Sequence, residues 1–147
     1  MDGISEKILQ ALSEGGRLTN TELAARVGLS PSACSRRVKE LEHSGMIRGY
    51  RAVLDPAARG VGFVAYVAVG LVEHTRKAQV DFERALAHVP EVRECHNITG
   101  NVEYLLRVET ADMAAYKHFH TDILGVLPQV RSLQTYVVMG SPKDERA

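Results

Sequence analysis

The chain has 147 residues, 45% of them hydrophobic, with 18 basic and 18 acidic residues and zero net charge. That is enough for one ordinary domain or two small ones with a buried core, which excludes a disordered chain. No apolar run approaches the ~20 residues of a membrane span and no secretory leader follows Met1, so a cytoplasmic protein is expected.

In chain order, a first helix is predicted over Ile4 to Ser13, with Ile4, Ile8, Leu9 and Leu12 as one apolar stripe and Gly15-Gly16 as its end. Thr19 followed by Glu22 fits a capping box, and Leu23, Ala24 and Val27 give the second helix its apolar face. Gly28 falls where the chain must turn with positive φ. Ser30-Pro31 restarts a helix, Ser30 as N-cap and Pro31 in the first helical position. At 100° per residue, Cys34, Val38 and Leu41 of this third helix point inward, while Ser32, Ser35, Arg36 and Lys39 point the opposite way and Arg37 lies on the flank. Hydroxyls and long cations near a helix N-terminus suit base edges and phosphates. The three helices therefore read as a helix-turn-helix head for double-stranded DNA, with Ser30, Ser32, Ser35, Arg36, Arg37 and Lys39 as its candidate DNA-binding residues. The bland alternative is a solvated amphipathic helix. After Ser44-Gly45, Met46 to Asp55 reads as extended, anchored by Ile47, Val53 and Leu54, and Asp55-Pro56 breaks it.

The second half changes pattern. Phe63 to Val72 is β-branched and apolar, a strand. Gln79 to Val89 has helical spacing at Val80, Phe82, Leu86 and Val89, and Pro90 stops it. Val92 to Thr99 is extended, Gly100-Asn101 turns, and Tyr104 to Glu109 completes a hairpin. Met113 to Leu127 reads as a helix with Met113, Tyr116, Phe119, Ile123 and Leu127 inward. Val130 to Met139 is the last strand. The fold class is thus α+β: a three-helix head, then a ferredoxin-like βαββαβ domain. Residues 1–50 form the DNA-binding domain, 51–62 a hinge, 63–141 the ferredoxin-like domain, and 142–147 a tail. Tyr66, Tyr104 and Tyr136 are expected on the sheet face that the helices leave open, where a partner would cover them.

Residues 1–55 carry 8 Lys and Arg against 7 Asp and Glu, so the head as a whole is barely basic. The asymmetry is local: Arg36, Arg37, Lys39, Arg48 and Arg51 face only Glu40 and Glu42. Few phosphate contacts per head imply that several heads bind together, which favours an oligomer. Cys34 and Cys95 have no CxxC spacing and offer no disulfide framework. Cys34 is a small core residue. The six histidines lack metal-ligand spacing; His118 and His120, two apart on a helix, diverge by about 200°.

Several ordered segments carry a family resemblance: R-L-T-N-T-E-L-A at 17–24, V-G-L-S-P-S-A-C-S-R-R-V at 27–38, L-E-H-S-G-M-I-R-G-Y at 41–50, P-E-V-R-E-C-H at 90–96, T-G-x-x-E-Y-L-L-R-V at 99–108 and T-Y-V-V-M at 135–139. In these the chain resembles transcription regulators of the leucine-responsive regulatory protein/AsnC family, the feast/famine regulators. The resemblance implies a helix-turn-helix regulator of amino-acid metabolism genes, without catalytic cofactor. It also implies homodimers that pair through the sheet and assemble to an octamer, and association with the nucleoid. A free amino acid would act as effector, held between dimers by Gly100, Asn101, Val102, Glu103 and Tyr104, with Thr135, Tyr136 and Val138 of the last strand lining or adjoining the site. The family loop is commonly Gly-Asp-x-Asp-Tyr; here it is Gly-Asn-Val-Glu-Tyr. Backbone N–H groups near Gly100 would hold the ligand carboxylate and Glu103 its ammonium, or the loop is a plain hairpin. Ser5 replaces an acid common near the start, and Pro142 replaces an aliphatic, so the last strand is expected to stop early.

An enzymatic reading has less behind it. Cys95-His96 is the only adjacent cysteine–histidine pair, and neighbouring strand residues point to opposite faces. No phosphate loop or paired catalytic carboxylates appear. A DNA-architectural protein without effector is the third reading.

Overall fold

The computed structural model describes residues 1–145. It divides into two compact units, with the break between Val53 and Leu54.

The first unit holds α1 (Gly3–Glu14), α2 (Asn20–Val27) and α3 (Pro31–His43). Each start is written in a side chain. Asp2 accepts from the Ser5 N–H, Thr19 and Glu22 form the reciprocal capping box, and Ser30 accepts from the Ala33 N–H with Pro31 behind it. Gly28 ends α2 at φ 74°, in the left-handed region, so that its N–H and that of Leu29 both reach the Ala24 carbonyl. Ile8, Ala11, Leu23, Ala24, Val27, Cys34 and Leu41 form the buried core, with Val38 and Ile47 packed against it. The expected extended segment after Gly45 forms no strand. Ile47 is an anchor as expected, but Val53 and Leu54 are exposed. No strand of the first unit lies beside them to pair, and no core lies beneath them.

The second unit has β1 (Phe63–Leu71), α4 (Arg76–Leu86), β2 (Val92–Asn97), β3 (Tyr104–Thr110), α5 (Met113–His118) and β4 (Val130–Val137). The sheet order is β2-β3-β1-β4, all antiparallel, as a ferredoxin-like βαββαβ chain requires. Alternation sends Phe63, Ala65, Val67, Val69 and Leu71 of β1, and Tyr104, Leu106 and Val108 of β3, into one core with Phe82, Leu86, Tyr116, Phe119 and Leu124.

Three expectations change here, and the early end expected of the last strand is met. Thr75 caps α4, so that helix starts three residues before Gln79 and ends at Leu86; Val89 still packs on the core, but Val80 is exposed because it points away from Ala78 and Phe82. The helix over Met113 to Leu127 is not uniform. After His118 it widens into a π-helical turn, Phe119–Leu124, closed by the Gly125 N–H on the His120 carbonyl at 2.9 Å. The wider turn brings Leu124 fully into the core, whereas Met113, in the first position after its cap Asp112, is exposed. Tyr104 is not on the open face: it is buried, its ring 4.8 Å from Phe82. Finally, β4 ends at Val137 and Met139 is fully exposed; the strand stops early, with Pro142 beyond it.

Candidate nucleic-acid interface and effector loop

α3 presents the predicted reading face. Cys34 and Leu41 are buried, while Ser32, Arg36 and Lys39 are exposed and Ser35 half-buried. Ser32, Ser35, Arg36 and Lys39 share one shallow surface groove with Glu40, His43 and Ser44. Arg36 makes a 2.9 Å ion pair with Glu40 one turn on, and both side chains stay more than half exposed. The Asn20 side chain donates to the Pro31 carbonyl at 2.7 Å, fastening the first turn of α3 to α2. The turn between the helices is thereby held at both ends, by Gly28 and by Asn20.

Two of the six candidate residues are committed to holding α3 in place. Ser30 is occupied as the N-cap, with the Ser32 hydroxyl 3.4 Å away. Arg37 turns back to α1, where its guanidinium meets the Asp2 carboxylate and, at 3.2 Å, the Ser5 hydroxyl. The Ser5 N–H first, then Arg37, hold the Asp2 carboxyl well below the usual carboxylate range, and Asp2 in turn raises the Arg37 guanidinium. Asp2 was not singled out by sequence, and Ser5 was noted only as the replacement of an acid. The signal was available: an acidic residue three before Ser5 at the head of a predicted helix is a cap.

The loop from Gly100 to Glu103 joins β2 to β3. Gly100 has φ 130°, and a side chain built on it would meet nothing within 4 Å. Its glycine is needed for the backbone turn, and the space beside it is open. Asn101 is exposed and Val102 half-buried. Glu103 is tied in from several sides: its N–H donates to the Val69 carbonyl, and its own carbonyl accepts from the Ile98 N–H and the Asn97 side chain. Its side chain is 12% exposed. One carboxylate oxygen accepts from the Leu71 N–H at 2.7 Å; the other lies 2.6 Å from the His74 ring. His74 was not anticipated.

Tyr104 belongs to the helix-covered side. Its hydroxyl donates to Glu83 of α4, and burial first, then Glu83, pushes its ionisation up. Cys95 also faces this side and is raised by burial and by Glu83, while His96 turns to the open face and bonds Glu94 at 2.9 Å. The two do not cooperate.

The β4 residues separate as well. Thr135 pairs with Val67 on the covered face and shares a hydrogen bond with the Tyr116 hydroxyl. Tyr136 pairs with Tyr66 on the open face, and the Val138 N–H reaches the Val64 carbonyl. The loop sits beside Val69 and Leu71, at the other end of β1. Val64 and Val69 are five steps apart along β1, roughly 17 Å, while Val67 and Tyr66, the partners of Thr135 and Tyr136, are two and three steps from Val69. One chain therefore keeps the loop and Val138 apart.

The open face is more polar than expected. Arg107 lies over the Tyr66 ring at 5.6 Å and donates to its hydroxyl at 3.0 Å, with Glu109 at 3.2 Å and Glu94 at 3.7 Å. Gly140 to Asp144 line a cleft of about 520 Å³ with Tyr66, Arg107 and Tyr136. No helix of the described residues is long and apolar enough to cross a membrane.

Residues 1–48 match a winged helix-turn-helix DNA-binding model and residues 64–147 match the Lrp/AsnC ligand binding domain. The chain is 42% identical to a proline dehydrogenase transcriptional activator of Rhizobium radiobacter over 98% of this chain and 92% of that one. It is 39% identical to a leucine-responsive regulatory protein of Haemophilus influenzae, over 97% of this chain and 86% of that one. A crystal structure of a Neisseria meningitidis transcriptional regulator in complex with L-Met superposes with a TM-score of 0.94 at 40% identity, covering 98% of this chain and 93% of that one. These relatives are transcription regulators rather than enzymes. With a DNA-binding head and a ligand-binding domain matched in order along nearly its whole length, the chain belongs to the Lrp/AsnC family of transcription regulators.

Proposed function

We propose that the chain reads double-stranded operator DNA with Ser32, Ser35, Arg36 and Lys39 and answers to a small neutral amino acid bound at the Gly100–Glu103 loop. The observation that carries the first half is the exposed basic face of α3, opposite Cys34 and Leu41, on a head whose turn is held by Gly28 and Asn20. Ser30 serves that face as the cap of α3, and Arg37 by fastening α3 to α1.

The second half draws on the L-Met complex of the Neisseria relative and on the loop's chemistry. Backbone N–H groups near Gly100 suit a carboxylate, and Glu103 is the loop's only carboxylate, suited to an ammonium. Val138 lies too far along β1 to reach such a ligand within one chain, which suits a site between dimers, lined by Thr135, Tyr136 and Val138 of another copy. Homodimers pair through the open sheet face and assemble to an octamer, with residues 51–62 as the hinge to each head and 142–147 as a tail. The regulated genes serve amino-acid metabolism, in keeping with the proline dehydrogenase activator among the relatives. The protein works in the cytoplasm, on the nucleoid.

Gel-shift titration of genomic fragments, with and without each of the twenty amino acids, tests both halves. Sequence-selective binding that one neutral amino acid strengthens or weakens is the expected result. Selective binding that none of the twenty alters would leave a DNA-architectural protein, and absence of selective binding would remove the DNA reading.

A further inference from the structure

Glu103 is arranged asymmetrically. One carboxylate oxygen is pinned by the Leu71 N–H at the end of β1, at 2.7 Å. The other is held only by His74, at 2.6 Å, from the loop between β1 and α4. The Glu103 side chain is 12% exposed, whereas the His74 side chain is 72% exposed and has no other hydrogen bond or ion pair among the described residues. A ligand ammonium approaching Glu103 finds the pinned oxygen committed to the backbone and the other covered by an imidazole N–H.

We infer that His74 is a built-in competitor for the ligand's ammonium group at Glu103, setting the amino-acid concentration to which the site responds. The inference rests on the effector reading above. His74 satisfies the second carboxylate oxygen while the site is empty, so the largely buried group is not left with a bare acceptor. The ring is tethered at one end and solvated on its outer side, so it swings away at small cost. Apparent affinity is the intrinsic affinity multiplied by the fraction of molecules in which Glu103 is free. A tighter His74 contact would raise the threshold and a missing one would lower it, with no change in which side chain the site prefers.

Calorimetric titration of the full chain with L-methionine and L-leucine tests this, on wild type, His74→Ala, Glu103→Gln and the double variant. His74→Ala should bind the better of the two ligands about two- to fivefold more tightly, a gain of the size of one net hydrogen bond. In the Glu103→Gln background the same change should give no gain, because the charge over which ring and ligand compete is gone. An unchanged or weaker affinity in His74→Ala, or an equal gain in both backgrounds, overturns the competition while leaving the effector site standing. Binding of neither ligand by any of the four overturns the competition, and a subsequent screen of the remaining amino acids on wild type then decides the effector reading by itself.

Discussion

At the scale of single residues, Arg36 and Arg37 are neighbours with opposite duties. Arg36 stands out from α3 with Glu40 as its partner, an exposed helical pair worth only ~0.3–0.5 kcal/mol. Arg36→Ala should leave the melting temperature nearly unchanged and weaken operator binding by ~1–3 kcal/mol per head. Fluorescence anisotropy on an operator duplex, paired with thermal unfolding, checks both; wild-type affinity in the folded variant would remove this helix as the reader. Arg37 instead holds α1 through Asp2. The Asp2 carboxyl is depressed in the folded chain, so its contribution to stability is present above the ordinary aspartate range near ~4 and is lost as pH falls through the lower folded value. Asp2→Asn keeps an acceptor for the Ser5 N–H but removes the charge. The wild type should unfold at higher urea than this variant near neutral pH, and the two midpoints should converge in strong acid. A gap that persists unchanged there would mean that the charge is not what matters.

At the scale of elements, the caps decide where helices begin. Gly28→Ala should cost ~1–2 kcal/mol in thermal unfolding of the full chain, since a Cβ disfavours φ 74° even though nothing crowds the position. A variant as stable as wild type would show that the turn relaxes freely. The three-helix head was legible for the same reason: Thr19, Glu22, Gly28, Ser30 and Pro31 act on their own backbone, and local chemistry is what a sequence displays. The βαββαβ order was legible from periodicity. What escaped depends on contacts between elements. A period of 3.6 cannot announce the π-turn that brings Leu124 into the core, because the turn is stabilised by packing and not by composition. Tyr104 looks like any strand tyrosine until Glu83 of α4 is placed over it to accept its hydroxyl hydrogen bond. The candidate DNA face could be drawn by angle alone, except that Arg37 has a partner 35 positions away. His74 and Glu103, 29 positions apart, likewise meet only once β1 and β3 have paired.

At the scale of the whole molecule, the chain presents unfinished surfaces. Tyr50, Val53 and Leu54 are exposed, and so is Tyr136 on the open sheet face. Light scattering at micromolar concentration should give a dimer or a larger even-numbered assembly, and the bound operator should show imperfect two-fold symmetry. A monomeric mass would sink this. The position of β1 has a consequence for how the chain is made. β1 lies inside the sheet, between β3 and β4, and its Tyr66 meets Arg107 on one side and Tyr136 on the other. During synthesis β3 follows soon enough to close one side, but the other side waits for almost the last residues of the domain to leave the ribosome. Through that interval the most apolar strand of the protein offers an unpaired edge to any extended chain nearby, including another nascent copy. Translation that stalls between Leu127 and Val137 should therefore yield aggregates rather than a smaller folded domain, because the missing piece is the flank of its central strand.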